Sequence, residues 1–594
     1  MRTLPSPFRF VIAIALVCAC ATQTSQTPAA KTAQTATLPA ITRGLPEGGD
    51  KPGVAVGTHG AVASAETNAS AAGLAVLKAG GNAVDAAIAV AFALAVTHPS
   101  AGNIGGGGFM VVHWANGQDV AIDYREVAPL TATRAMYLDA SGKLTKASVV
   151  GPLAAGVPGT VAGLELAHQR FGSKPWADLI APAILLARDG HALEQSHAED
   201  MQRAAVQMRD AGFADTARTY LGPDGQPIPT GGLWKQPELA ATLQIIATEG
   251  PRSFYIGQLA NAIATRMQSL GGLWTAADLA QYKAIAREPM RFEYLGHEVI
   301  TMPPPSGGGI VMRQILFASE LLDFRKYPAR SPQSFHLYIE ASRRAFADRN
   351  EWLADPDFVK LPVAGLLDPT YIQQRMTNID PAHATPSSTI SAGTPREESP
   401  QTTHFSVVDE AGNAVSNTYT LNTGFGSKVA LPGLGILLNN EMDDFAADPG
   451  KPNAYGLVQG ERNAIQPGKR MLSSMTPTVL LKDGQLRAVL GTPGGPTITT
   501  TVTQLMRDLV DYGWPLDEAV KAPRVHHQWL PDQVMVEPTV EPELVEGLRA
   551  LGHTVETIPW GKIGHADCIE VDPKTLGYRA VADVTRGGGA AAAY

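Results

Sequence analysis

The chain has 594 residues, which at roughly 150 residues per domain corresponds to about four domains or to one large fold with additions. Hydrophobic residues make up 44% of the sequence, so the chain can bury a large core. The net charge is −9 and the sequence shows no basic stripe, which excludes the nucleic-acid-binding class because such proteins carry a basic balance.

The N-terminus predicts an export signal over residues 1–21. Arg2 and Arg9 precede an apolar run of twelve residues that ends at Ala21, which is shorter than the about 20 residues that span a bilayer. Ordinary cleavage after Ala21 and a bacterial lipoprotein box with a lipidated Cys20 both stay open. Either reading predicts a bacterial protein that is periplasmic or anchored to the membrane. Cys568 is the one cysteine outside this segment, so no pair is left for a disulfide within the mature chain.

The segments that follow alternate between flexible and ordered sequence. Residues 22–50 are rich in Thr, Gln, Ala and Pro and predict a flexible linker. Residues 82–96 are apolar nearly all round and predict a buried helix. Glycine runs at 105–108 and 307–309 predict two tight turns, and Ser331-Pro332 predicts the start of a helix that reaches about Trp352.

Residues 381–400 form a second low-complexity stretch, and strand patterns begin directly after it. Residues 402–409 and 414–421 alternate in strand fashion around a turn at 411–413, which predicts a β-hairpin. A hairpin behind a flexible tail suits a chain that is cut at the boundary. A simple linker between domains is the alternative reading.

Motif searches for the common nucleophile, phosphate and metal sites find none. The sequence has no Gly-x-Ser-x-Gly elbow, no Walker loop and no His-Glu-x-x-His, and its 14 histidines form no Cys/His cluster. His526-His527 would point to opposite faces of a strand and chelate a metal poorly. The sequence therefore predicts neither a metal nor an organic cofactor.

A threonine that becomes an N-terminus remains as a nucleophile. Its hydroxyl attacks the preceding carbonyl, the acyl group moves to oxygen, and hydrolysis leaves a threonine whose free α-amine acts as the base for its own hydroxyl. This chemistry needs a threonine at the start of a strand behind a flexible segment, and Gln401-Thr402 meets both conditions.

The motif around Thr402 resembles the processing site of the γ-glutamyltransferase (γ-glutamyl transpeptidase) family. The resemblance extends from about residue 50 to the C-terminus, with motifs in the family's order and at its spacing. These motifs are Gly81 to Ala87, Asp123-Tyr124-Arg125-Glu126, Pro303 to Gly308, Gln401 to Ser406, Thr420-Leu421-Asn422, Asn439 to Phe445, Leu472-Ser473-Ser474-Met475 and Pro493-Gly494-Gly495.

The resemblance implies a fold and a maturation step. The fold is α+β, the four-layer αββα sandwich of the N-terminal-nucleophile hydrolases, in which two antiparallel sheets lie between helices. Self-cleavage at Gln401-Thr402 would divide the precursor into a large subunit, residues 51–401 behind the linker, and a small subunit, residues 402–594. The two would stay together as a heterodimer.

The resemblance also implies a role for each matching residue. Thr402 would be the nucleophile, Thr420 would hold it, and the backbone N–H groups of Gly494 and Gly495 would form the oxyanion hole. Arg125, Ser473 and Ser474 would bind the α-carboxylate of the substrate, while Asn422, Glu441 and Asp444 would receive its α-ammonium. Tyr455 would lie on a loop that covers the pocket.

The activity implied is that of a glutathione hydrolase and γ-glutamyltransferase. Thr402 would take the γ-glutamyl group of glutathione or a related compound and pass it to water, an amino acid or a dipeptide. Two rivals are a relative that hydrolyses glutaryl amides of β-lactam precursors, against which Asn422, Glu441 and Asp444 argue, and an unprocessed surface lipoprotein. One departure from the family is Val584-Thr585 between Asp583 and Arg586, where members commonly have Asp-Pro-Arg, followed by a small-residue tail.

Overall fold

The computed structural model describes residues 53–395 and 405–594. The strands, in chain order, are β1 (Val54–Gly57), β2 (Ala61–Ser64), β3 (Gly107–His113), β4 (Asp119–Tyr124), β5 (His191–Ala192), β6 (Leu233–Trp234), β7 (Ile285–Arg287), β8 (Met290–Tyr294), β9 (His297–Thr301), β10 (Phe405–Val408), β11 (Ala414–Thr420), β12 (Ala430–Leu431), β13 (Ile436–Leu437), β14 (Thr478–Lys482), β15 (Gln485–Leu490), β16 (Val525–His526), β17 (Val534–Val536), β18 (Val555–Thr557), β19 (Cys568–Val571), β20 (Tyr578–Val581) and β21 (Ala590–Ala593).

The helices, in the same order, are α1 (Thr67–Lys78), α2 (Ala83–Thr97), α3 (Thr160–Phe171), α4 (Trp176–Asp189), α5 (Gln195–Asp210), α6 (Ala214–Thr219), α7 (Pro237–Glu249), α8 (Gln258–Ser269), α9 (Ala276–Gln281), α10 (Gly308–Leu321), α11 (Pro332–Trp352), α12 (Val363–Leu367), α13 (Pro369–Met376), α14 (Thr497–Val510), α15 (Leu516–Lys521) and α16 (Pro542–Ala550). Within the residues described, none of these helices has the length and apolarity to cross a membrane.

Two seven-stranded antiparallel sheets form the centre of the fold. One has the order β1-β20-β19-β15-β14-β9-β8, and the other has the order β21-β2-β10-β11-β3-β4-β7. Both sheets take strands from both sides of residue 402, so the two sides of the predicted cleavage site share one core. The sequence estimate of about four domains is replaced by one layered fold.

Alternation along β3 shows how the layers stack. Met110 and Val112 point to one face of the sheet and pack in a cluster with α2, whereas Phe109 and Val111 point to the other face and pack with residues of β9, β14 and β15. Helices α10 and α14 cover the outer face of the sheet that contains β9, β14 and β15. Met312 of α10 belongs to the same hydrophobic cluster as Phe109 and Val111. The order of layers is helix, sheet, sheet, helix, so the four-layer αββα expectation is confirmed.

The predicted buried helix is α2, and its start has a clear local cause. The Asn82 side chain accepts hydrogen bonds from the backbone N–H groups of Val84 and Asp85, while Asp85 accepts from the N–H of Asn82. This reciprocal cap satisfies N–H groups that the first helical turn leaves without partners. Every residue of α2 is buried, as the unbroken apolar pattern predicted.

Two expectations about irregular segments need correction. Neither glycine run forms the predicted turn as a whole, because Gly107 and Gly108 lie within β3 and Gly308 and Gly309 begin α10. A Cβ on Gly108 would stand 2.5 Å from the Thr418 carbonyl oxygen, so glycine allows close approach of β11. The described part of the low-complexity stretch, up to residue 395, is anchored: Trp529 donates to the carbonyl of Ile390 at 3.0 Å and Trp352 donates to that of Gly393 at 2.8 Å. Distant side chains make these contacts, so local composition carries no sign of them.

The C-terminal departures from the family pattern are absorbed by the fold. The small-residue tail forms β21, an edge strand that pairs with β2. Asp583 forms a buried ion pair with Arg524 at 2.7 Å, and Arg586 forms one with Glu537 at 2.6 Å. The Asp583 and Arg586 side chains therefore remain bonded in the core although Val584 and Thr585 separate them.

Candidate active site

Arg125 lies at the centre of the candidate site and is fully buried. It follows the end of β4, where its backbone N–H donates to the Asp123 carboxylate at 3.0 Å. Its guanidinium lies 2.6 Å from Glu441 through Nη1 and 2.5 Å from Asp444 through Nη2, and its Nε donates to the Met471 carbonyl at 3.3 Å. Segments far apart in the sequence thus meet around one cation.

The resemblance assigned Arg125 to an anion and Glu441 and Asp444 to a cation, and the structure places all three side chains in direct contact. A positive group flanked by two negative groups matches a zwitterion, whose carboxylate and ammonium are separated by one carbon. Removing Arg125 would leave two buried carboxylates without their cation, and breaking a buried ion pair in this way typically costs about 3–5 kcal/mol. The three side chains are therefore one coupled unit.

Sequence reasoning gave no role to Glu126, although the residue lies in a quoted motif. Its carboxylate is completely buried, 3.8 Å from Nη1 of Arg125. Burial raises the pKa of Glu126 to about 8 and raises the pKa values of Glu441 and Asp444, although Arg125 opposes each shift. Burial alone would lower the pKa of Arg125, but the surrounding carboxylates outweigh it and raise that pKa above its ordinary value. Arg125 therefore remains charged.

We expect Glu126→Gln to stabilise the protein at alkaline pH. An acid whose pKa rises on folding stabilises the fold below its unfolded pKa of 4.5, and this contribution is lost as the pH rises through about 8. Glutamine does not ionise, so the variant does not lose stability in this way. The difference in free energy of unfolding between the variant and wild type should therefore grow in favour of the variant from pH 5 to pH 9, by on the order of a few kcal/mol. Thermal unfolding at both pH values measures it, with Glu410→Gln as the control, since the Glu410 side chain is 70% exposed. An advantage that does not change with pH would contradict the assignment.

Asn422 and Tyr455 connect the ion pairs to a turn of unusual geometry. Asn422 has a φ of 78°, and its side chain donates to the Asn440 carbonyl at 2.9 Å. The Tyr455 hydroxyl donates to the Asn422 carbonyl at 2.7 Å. The Asn422 N–H donates to the hydroxyl of Thr420, the last residue of β11, at 2.9 Å. Gln401 and Thr402, the predicted cleavage site and nucleophile, lie outside the described residues, and so does any contact between Thr402 and Thr420.

Gly494 and Gly495 form a turn directly before α14. Their φ values are 136° and 59°, which favour glycine, and a Cβ on Gly495 would stand 2.7 Å from the Tyr455 ring. Their carbonyls accept the N–H groups of Thr497 and Ile498, whereas neither glycine N–H has an acceptor in the described part of the chain. Free N–H groups at the positive end of a helix are suited to stabilise an oxyanion.

Ser473 and Ser474 lie on a segment that the Pro-rich motif holds in place. The N–H of Ser473 donates to the Pro305 carbonyl at 2.7 Å, and the Gly307 N–H donates to the Ser473 carbonyl at 2.8 Å. Met471, two residues earlier, accepts from Arg125. Arg349 of α11, which sequence reasoning missed, donates to the Ser474 hydroxyl at 2.8 Å. The described site residues therefore form one connected group.

The layered αββα sandwich, with this site at the ends of β4 and β11, defines an N-terminal-nucleophile hydrolase. The family model described as Gamma-glutamyltranspeptidase matches residues 69–593. The glutathione hydrolase proenzyme of Escherichia coli (strain K12) is 46% identical over 535 residues, covering 88% of this chain and 92% of that protein. The chain belongs to the γ-glutamyltranspeptidase family.

Solved structures give the same result for the fold. Cephalosporin acylase from Bacillus halodurans matches with a TM-score of 0.81 at 29% identity, covering 93% of this chain and 98% of that chain. Gamma-glutamyltranspeptidase from Helicobacter pylori matches with a TM-score of 0.54 at 43% identity, covering 56% of this chain and 94% of that chain. One of these two relatives is named as an acylase, so the two chemistries have to be separated by the site itself.

Proposed function

We propose that the chain is a proenzyme that cuts itself between Gln401 and Thr402 and then transfers γ-glutamyl groups from glutathione and related compounds. The observation that carries this proposal is the contact of Arg125 with Glu441 and Asp444. Arg125 offers a cation to the α-carboxylate of the donor, and the two carboxylates offer anions to its α-ammonium. Because both contacts are made to the glutamyl part, the leaving amine can vary.

Turnover proceeds in two steps through an ester. The Thr402 hydroxyl adds to the γ-carbonyl carbon while its α-amine takes the proton, and the N–H groups of Gly494 and Gly495 receive the negative oxygen. The C–N bond then breaks, the amine departs with a proton, and a γ-glutamyl ester remains on Thr402. Water, an amino acid or a dipeptide attacks this ester, which releases glutamate or a new γ-glutamyl amide and restores Thr402.

A pair of anilides tests the substrate class. γ-Glutamyl-anilide carries an α-ammonium and an α-carboxylate, whereas glutaryl-anilide keeps the carboxylate at the same position but lacks the ammonium. We expect the purified, processed protein to release aniline from the first compound at least about a hundredfold faster in kcat/KM, because the buried Glu441 and Asp444 lose their cation with the second. Equal rates, or a preference for glutaryl-anilide, would favour the acylase function. Repeating the assay with a dipeptide acceptor measures how the ester divides between water and amine.

We also propose that residues 1–21 direct the protein out of the bacterial cytoplasm, with Cys20 as the lipidation site if the lipoprotein reading holds. The basic start, the short apolar run and the small residues around Cys20 support export. Fractionation of cells that express wild type, Cys20→Ser and the matched Cys18→Ser variant tests it. If the protein leaves the membrane fraction in the Cys20→Ser variant but not in the Cys18→Ser variant, the lipid anchor is supported. A wild type that is freely soluble in the periplasm supports ordinary cleavage. A wild type that stays in the cytoplasm contradicts export.

A further inference from the structure

Arg349 is a buried arginine whose contacts lead to the predicted carboxylate site. It lies near the end of α11 and is 2% exposed. Its Nη2 donates to the Ser474 hydroxyl at 2.8 Å and to the Ser473 carbonyl at 3.4 Å, and its Nη1 donates to the Asn350 side-chain oxygen at 2.9 Å. A Cβ on Gly307 would stand 2.6 Å from Cγ of Arg349, so the glycine makes room for the path of this side chain.

The partners of Arg349 are neutral, which is unusual for a buried guanidinium. Within residues 53–395 and 405–594 it forms no ion pair, and its Nε has no hydrogen-bond partner. Burial lowers its pKa to about 10, which still leaves it charged at neutral pH, and Asp444 and Arg125 are the charged groups that influence it. Burying an ion without a counterion costs several kcal/mol, so the stability of the fold does not account for this residue.

The hydrogen bond from Arg349 fixes the direction of the Ser474 hydroxyl. A guanidinium has no acceptor, so Ser474 Oγ must accept from Arg349 and can donate its own proton only elsewhere. Within the described residues that proton has no acceptor, and the Ser474 side chain is almost completely buried. Ser474 is therefore prepared to donate to an anion, with a positive charge directly behind it.

Arg125, in contrast, already has a carboxylate at each Nη atom. Its charge is largely compensated by Glu441 and Asp444, whereas Arg349 forms no ion pair of its own within the described chain and is stabilised only by the field of Asp444, which is already bound to Arg125. The two arginines thus differ in how much positive potential they can offer to an added carboxylate.

We propose that Arg349 is a positioning residue that acts through Ser474 and determines recognition of the substrate α-carboxylate. It holds the Ser474 hydroxyl in the donating orientation and supplies positive charge behind it. The inference rests on the proposed γ-glutamyl donor, and it adds a second cation to the site that receives the α-carboxylate.

Steady-state kinetics with matched donors test the proposal. The variants are Arg349→Gln, which removes the charge, and Arg349→Lys, which keeps it. With γ-glutamyl-anilide we expect Arg349→Gln to raise KM at least about tenfold while kcat changes less than threefold, because the lost interaction is made to the bound carboxylate. Arg349→Lys should have a KM between those of wild type and Arg349→Gln. With the α-carboxamide analogue of the donor, which lacks the anion, Arg349→Gln should leave KM unchanged from wild type.

A double-mutant cycle with Ser474→Ala separates action through Ser474 from a general effect. If Arg349 acts through Ser474, the double variant should have the KM of Ser474→Ala alone; if the two act independently, their effects multiply, which overturns the proposal. Equal losses with the acid and the amide donor would also overturn it.

Arg344→Gln is the structural control, because Arg344 is buried on the same helix but pairs with Glu340 at 2.8 Å. It should lower the melting temperature without raising KM. If Arg349→Gln does not fold, the KM values for the α-carboxylate donor and its α-carboxamide analogue are compared in Arg349→Lys instead. A wild type without turnover of γ-glutamyl-anilide would refute the proposed function itself, whereas an active wild type with unchanged Arg349 variants refutes only this inference.

Discussion

Thr402→Ala is expected to yield one uncut chain that turns over no γ-glutamyl donor, whereas wild type yields two polypeptides. The hydroxyl is needed twice, first to attack the carbonyl of Gln401 and then to attack the donor, and alanine has no atom to replace it. A denaturing gel of purified protein after long incubation shows the cut, and anilide release shows the turnover. The expected loss of activity is complete within the sensitivity of the assay.

Thr403→Ala is the matched control for this prediction, because it removes the same hydroxyl one residue further along the chain. It should still be cut at the same bond. Thr402→Ser retains a hydroxyl and should be cut as well. A two-band pattern for Thr402→Ala, or an intact wild-type chain, would contradict self-cleavage at this residue.

Arg125→Met is expected to produce the second large effect, on both activity and stability. The variant leaves the buried carboxylates of Glu441 and Asp444 without their cation, so the free energy of unfolding should fall by about 3–5 kcal/mol, less any relief from proton uptake by these acids. Loss of a charged hydrogen-bond partner for the α-carboxylate should lower kcat/KM by about a hundredfold to a thousandfold. Chemical unfolding and anilide release measure the two quantities.

Combining Arg125→Met with Glu441→Gln tests whether the two effects have one cause. The double variant removes one of the uncompensated acids, so part of the lost stability should return. Activity should not return, because the site for the α-carboxylate is still missing. Recovery of both properties would mean that Arg125 serves only the fold, and Arg125→Lys should lie between wild type and Arg125→Met, since lysine cannot bridge two carboxylates with the same geometry.

The sequence was sufficient to predict those elements whose structure depends on residues close together in the chain. The unbroken apolar run over residues 82–96 predicted α2 almost to the residue, and alternation around Gly412 predicted the pairing of β10 with β11. The four-layer arrangement came from the resemblance, because no periodicity within one segment states which segments become neighbours.

The charged core of the site shows the limit of sequence reasoning. Arg125 and Asp444 are 319 residues apart, and their contact depends on the complete fold. The residues themselves were predicted, but as separate contacts to substrate, because a motif assigns roles one residue at a time. Arg349 was missed because α11 is buried on nearly all sides, so no amphipathic pattern distinguishes its functional face. The signal that could have found it is a run of charged residues along an otherwise core helix.

The most direct test of the central claim is the mass and N-terminal sequence of the smaller polypeptide, measured before and shortly after addition of γ-glutamyl-anilide. We predict a polypeptide that begins at Thr402 and that gains one γ-glutamyl group on its N-terminal peptide during turnover. A polypeptide that begins at another residue, or a γ-glutamyl group attached to any other peptide, would contradict the assignment of Thr402 as the nucleophile.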